Sequence, residues 1–178
     1  GRLHYIKGID ILIKAISLII KSQKINLKLN IAGPDFGELK NLKRLVKSLN
    51  LPENTINFLG NLTGDKKIRF YQKSDLHIVP SLREAMSIVA IEAGYISNSR
   101  VLVTNECGIK DIKEISKYFD YCDANENSLS KKILEILSNP VIKSHEDHIS
   151  KRKELIRNKF SWERLTISLE KEIYQIIN

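Results

Sequence analysis

With 178 residues, 42% of them apolar and 28% charged, the chain is long enough to bury the core of one ordinary domain and too apolar to stay disordered. Its longest apolar run, residues 9–20, is interrupted by Asp10, Lys14 and Ser17 and falls short of the roughly 18 residues of a membrane-spanning helix. A net charge of +8 and a pI near 9.4 admit nucleic acid, anionic lipid or a phosphorylated ligand as partners. The lysines, however, are scattered beside Glu and Asp in the manner of solvated helix faces.

Ile9, Leu12, Ile13, Ile16, Ile19 and Ile20 recur at helical spacing and predict an amphipathic helix over 7–24. A buried strand follows at 27–32, closed by Gly33 and Pro34, and Leu39, Leu42, Leu45, Val46 and Leu49 mark a second helix. Strand 55–59, helix 66–73, strand 76–80, helix 87–97, strand 101–104, a short helix at 110–116 and a short strand at 118–122 continue the alternation. After a helix at 129–138 the pattern is helical only, with an irregular stretch at 139–142 and a last helix at 162–177 behind the N-cap Ser161. Strands alternating with helices imply right-handed crossovers and a parallel sheet covered on both faces. The fold class expected is α/β: a Rossmann-like, doubly wound parallel sheet over 1–140 with a helical tail over 141–178, in one domain.

Gly1, Arg2 and Leu3 read as the end of a strand whose body lies upstream, and the chain opens without a methionine or a signal-peptide preface. The expectation is therefore a piece of a longer protein, with a central strand missing and a gap left in the core. Cys107 and Cys122 lack metal-ligand or CxxC spacing and read as buried, reduced thiols of a cytoplasmic protein.

Open parallel sheets bind ligands at the carboxyl ends of their strands, and the distinctive residues here fall in the loops expected at that edge. Arg2 and Lys7 flank the first loop, where a guanidinium fork and a mobile ammonium suit a diphosphate. Taken alone they are equally two solvated cations. Gly33 allows close approach of the backbone to a ligand. Glu84 stands just before a helix whose first free amides, on Met86, Ser87 and Ile88, suit a phosphate. Glu92 lies more than one turn into that helix. Carboxylates suit vicinal hydroxyls because each accepts two hydrogen bonds at once. On its own the pair reads equally as a surface glutamate and a partly buried one matched to Lys or Arg. His4 and His77 fit structural roles. Walker A, GxGxxG, zincin and Ser/His/Asp patterns are absent from the sequence.

As an ordered set, these residues resemble the C-terminal, donor-binding domain of a family 4 (group 1) glycosyltransferase of the GT-B fold. The resemblance runs through Gly1, Arg2 and Leu3 with Lys7 to Asp10, then Ile31 to Pro34, Ile56 to Gly60, Tyr71 with Asp75, and Pro80 with Glu84, Glu92 and Ala93. It ends at Phe160, Ser161, Trp162 and Glu163. It implies that Arg2 and Lys7 hold the diphosphate of a UDP-sugar or GDP-sugar. Gly60 would border the base, Glu84 would hold the transferred sugar, the amides of Met86 to Ile88 would meet sugar and distal phosphate, and Glu92 would bind the ribose.

It also implies a retaining, metal-free and cofactor-free reaction in surface polysaccharide or glycolipid assembly. A glycan or lipid-linked acceptor would be held by an N-terminal domain outside this chain, with a cytoplasmic location and peripheral association at the inner membrane face. This chain alone would then bind donor without useful turnover. The rival readings are a non-catalytic nucleotide-sugar module and a polyanion-binding protein; the sequence has no basic stripe interleaved with aromatics to favour nucleic acid. Two departures stand out. Ala85, Met86 and Ser87 replace a common Gly-Phe-Gly, and Cys107 stands where a second glycine is usual.

Overall fold

The computed structural model describes residues 1–23, 25–139, 144–161, 163, 166 and 167. The elements in chain order are α1 (Ile9–Gln23), β1 (Leu29–Ala32), α2 (Leu39–Ser48), β2 (Ile56–Gly60), α3 (Gly64–Lys73), β3 (Leu76–Val79), α4 (Ile88–Ile96), β4 (Arg100–Thr104), α5 (Lys113–Ser116), β5 (Asp120–Cys122), α6 (Glu126–Ser138) and α7 (Ser144–Phe160). All strand pairs are parallel, as the alternation requires.

Both faces of the sheet are covered because successive side chains on a strand point to opposite faces. Leu102 of β4 enters the layer formed by Leu12, Ile16 and Ile19 of α1 with Leu129 and Ile133 of α6. Its neighbours Val101 and Val103 enter the opposite layer with Ala90 and Ala93 of α4, Ile115 of α5 and Ile156 of α7. A third cluster seats α2 through Leu42 against Leu3, Ile13 and Ile31. Asn125 caps α6 by accepting from Ser128 N–H (2.8 Å), and Asp35 accepts from Gly37 and Leu39 N–H (2.9 and 3.1 Å) ahead of α2.

The sheet expected as one is found in two parallel pieces, β1–β2 and β3–β4–β5. Between the facing edges of β1 and β3 lies a slot of about 1120 Å³, walled by apolar residues that include Ile31, Ile78, Ile16 and Ile133. Residues at the start of the chain span its mouth. Leu3 pairs in parallel with Asp35, and its N–H donates to Pro34 O (2.8 Å). Ile6 O accepts from Leu82 N–H (2.8 Å) beyond β3. The carboxyl ends of both sheet pieces thus meet at one edge.

Several boundaries differ from expectation for local reasons. Lys7 is not in the first helix: Tyr5–Lys7 form a 3₁₀ turn, and Gly8 at φ 60° breaks the chain before α1. The helix expected at 110–116 divides into a 3₁₀ turn, Gly108–Asp111, and the short α5. Of the helix expected at 162–177, Glu163, Thr166 and Ile167 are helical, and the rest lies outside the described residues.

Candidate donor site

Four charged side chains from distant parts of the sequence converge at the strand-end edge. Lys7 forms an ion pair with Glu84 Oε2 across 77 residues of sequence, and Ser81 Oγ donates to the same oxygen (3.0 Å). Lys67 Nζ lies 2.6 Å from Glu92 Oε1, and Tyr71 Oη donates to Glu92 Oε2 (2.9 Å). The Gly1 amino group, held below its ordinary range chiefly by burial, lies in the field of all four: Lys7, Glu92, Lys67 and Glu84.

The loop carrying Lys7 is fixed by close backbone contacts. A Cβ on Gly8 would lie 2.0 Å from Pro80 O, so the residue is set by contact as well as by its left-handed φ. Gly33 is confined in the same way: its Cβ position falls 1.6 Å from Gly1 O. The backbone seen packed closely against Gly33 is that of the first residues of the chain. Gly33 N–H donates to Gly60 O (2.7 Å), which ties the ends of β1 and β2 together. Arg2 is exposed, its guanidinium 5.2 Å over the ring of Phe36.

The segment carrying Glu84 is locked to the next loop. Glu84 N–H donates to Glu106 O (3.1 Å), Gly108 N–H donates to Glu84 O (2.8 Å), and the buried Thr104 hydroxyl donates to Ser81 O (2.5 Å). Ser87, in place of the usual glycine, is the N-cap of α4: its Oγ accepts from Ala90 N–H (3.2 Å). The Cys107 thiol is buried, and burial pushes it up. Met86 and Ile88 are exposed at the rim, as are Tyr5, Phe36 and Leu82 from neighbouring loops.

From the sequence, Lys67, Tyr71 and Ser81 carried no site role, although Tyr71 lies in the stretch that bears the family resemblance. Lys67 and Tyr71 stand four apart on α3, hence on one face, but nothing local shows what that face meets. His77 is a core residue: its Nε2 donates to Tyr71 O (2.9 Å), and burial holds the imidazole below its ordinary value. Burial, with Glu92 alongside, raises the Tyr71 phenol. Both cysteines are free and buried. No group of three or more His, Cys, Asp or Glu side chains suited to a metal ion occurs among the described residues.

The arrangement sets cations beside carboxylates on one edge, where Gly1, Arg2, Gly33, Asn61, Lys67 and Glu92 also line the slot between β1 and β3. Residues 1–161 match the family described as glycosyl transferases group 1. The chain is 30% identical over 168 residues to an uncharacterized glycosyltransferase of Methanocaldococcus jannaschii, covering 93% of this chain and 41% of that protein. Among solved structures it is similar to sucrose-phosphate synthase from Thermosynechococcus elongatus (TM-score 0.82, 23% identity, 99% of this chain and 44% of that one). It is also similar to the E. coli trehalose-6-phosphate protein bound with UDP-2-fluoro glucose (TM-score 0.76, 14% identity, 94% and 42%). The chain spans less than half the length of each. With the family matched over nine-tenths of its length, this chain belongs to the group 1 glycosyl transferases.

Proposed function

We propose that this chain is the donor-binding half of a retaining glycosyltransferase that moves a sugar from a nucleotide diphosphate sugar to a glycan or lipid-linked acceptor. The observation that carries the reading is the convergence of Lys7 with Glu84 and of Lys67 with Glu92 at the strand-end edge. The solved relative bound with UDP-2-fluoro glucose supports a nucleotide-sugar as the ligand class.

In this reading Arg2 and Lys7 receive the diphosphate. Lys7 has three donors and gives only one to Glu84, so it can face phosphate while still holding the carboxylate. As the glycosidic bond to phosphate breaks, negative charge builds on the departing diphosphate, and fixed cations stabilise it there. Glu84, held by Ser81 and Lys7, receives sugar hydroxyls; Glu92 receives the ribose diol; Gly60 and its neighbours border the base. The exposed apolar rim of Tyr5, Phe36, Leu82, Met86 and Ile88 faces the acceptor half, without which turnover is negligible. No metal is needed when cations neutralise the leaving group. Peripheral contact with an anionic membrane surface would use the exposed basic face of α2, where Lys40, Lys43, Arg44 and Lys47 recur at helical spacing with no carboxylate on the helix.

The test is calorimetric titration of this chain with UDP, GDP, UDP-glucose and GDP-mannose, with the best ligand repeated on the Arg2→Ala, Lys7→Ala double variant. One nucleotide should bind saturably and lose at least about tenfold in affinity in the variant, as expected for lost charge-assisted contacts. Binding of none of them would overturn the reading.

A further inference from the structure

We propose that Lys67 and Tyr71 of α3 are positioning residues that orient Glu92 toward a ribose diol and so set a preference for ribonucleoside over deoxyribonucleoside diphosphates. The inference rests on the donor-site reading above and extends it to two side chains to which that reading gives no role.

Each oxygen of Glu92 has its own protein donor, Lys67 Nζ on Oε1 at 2.6 Å and Tyr71 Oη on Oε2 at 2.9 Å. Two separate anchors fix the rotation of the carboxylate plane, which a single ion pair would leave free. A carboxylate oxygen accepts about two hydrogen bonds, so one acceptor site remains on each oxygen. Two acceptors on neighbouring oxygens of one fixed plane match two vicinal hydroxyls, and removing one hydroxyl leaves one acceptor unmet.

The Tyr71 anchor is itself immobile. Its side chain is 6% exposed, its ring packs 5.4 Å from that of His77, and its carbonyl accepts from His77 Nε2 at 2.9 Å. Holding runs from β3 through His77 to Tyr71 and on to Glu92. The Lys67 side chain is 40% exposed and lines the same groove as Glu92, Gly1 and Asn61. A bridge serving only to join α3 to α4 would not need to engage both carboxylate oxygens.

The test titrates UDP, GDP and their 2′-deoxy counterparts into the wild-type chain and into Tyr71→Phe, Lys67→Met and Lys67→Arg variants, with thermal melting of each. For the nucleotide that the wild type prefers, the ribo form should bind about tenfold tighter than the deoxy form, the scale of one hydrogen bond to a charged group. Tyr71→Phe and Lys67→Met should each lower ribo affinity several-fold and deoxy affinity, which keeps only the 3′-hydroxyl contact, by less, so that the ratio falls toward one. Lys67→Arg should restore much of it. A ratio unchanged in both variants would overturn the proposal while leaving the donor-site reading intact, even if melting temperatures fell. Absence of binding by any nucleotide to the wild type would overturn both. Tyr71→Phe keeps the buried ring, and Lys67→Met alters a partly exposed side chain, so the variants should remain folded.

Discussion

At the scale of single residues, the site is a set of side chains held by specific neighbours. Glu84 has Lys7 and Ser81, and Glu92 has Lys67 and Tyr71. These pairings orient the carboxylates before any ligand arrives, which lowers the ordering cost of binding. His77 couples that scaffold to pH. Its imidazole is buried and held below its ordinary value of 6.5, so on acidification the unfolded chain gains a proton there before the folded chain does. Stability therefore rises with pH through the window below 6.5 and falls as pH drops through it. Urea denaturation should show a loss of stability between about pH 7.5 and 5.5, and His77→Gln should shrink that pH dependence. An unaltered acid limb in the variant would assign the loss to other groups.

At the scale of elements, α4 carries the site and α7 holds it in place. Arg152 of α7 is almost completely buried and has no carboxylate bonded to it among the described residues. It donates instead to the carbonyls of Gly94 (2.8 Å), Ser97 (3.0 Å) and Ser99 (3.1 Å). These lie in the last turn of α4 and the link to β4, where helix carbonyls run out of partners and a cation meets the negative end of the helix. Burial lowers the guanidinium to about 10, still far above neutrality, so it remains charged. Arg152→Met should cost about 3–5 kcal/mol by leaving those carbonyls without donors. Denaturant unfolding measures this directly; a loss below about 1 kcal/mol would show that water replaces the guanidinium. Because Glu92, one turn before Ile96 on the same helix, lines the groove, nucleotide affinity should fall in the same variant.

At the scale of the whole molecule, the slot between β1 and β3 leaves two strand edges and both apolar layers open toward each other. Leu3 pairs in parallel with Asp35 at one end of it, so an extended segment joined ahead of Gly1 would enter parallel to both strands. It would be covered on both faces, the setting in which strands are apolar throughout. We expect this chain to enhance the fluorescence of an apolar-surface dye. Fusing a short Val- and Ile-rich segment ahead of Gly1 should quench that signal and raise the melting temperature by at least about 5 °C. A Ser- and Gly-rich segment of equal length is the control, and equal effects from both would show that the slot is not read as a strand site. No helix among the described residues is long and apolar enough to cross a membrane.

Much of this was legible in the order of residues. The helical recurrence of Ile and Leu in α1, the short apolar runs of β1, β3 and β4, and the glycines at 8 and 33 determined the parallel α/β class, because burial on a helix and on a two-sided strand demands different spacings. The same order determined which residues stand in strand-end loops, Arg2, Lys7 and Glu84 among them, and put Glu92 within the helix that follows. Tertiary structure alone decided the partners. Lys67 and Tyr71 meet Glu92 only because α3 packs beside α4, and Arg152 meets the end of α4 from 58 residues away. A lysine, a tyrosine and an arginine on helices look like ordinary surface residues until distant segments are brought within hydrogen-bond reach. That reach depends on packing across the whole domain and leaves no periodic trace in the sequence.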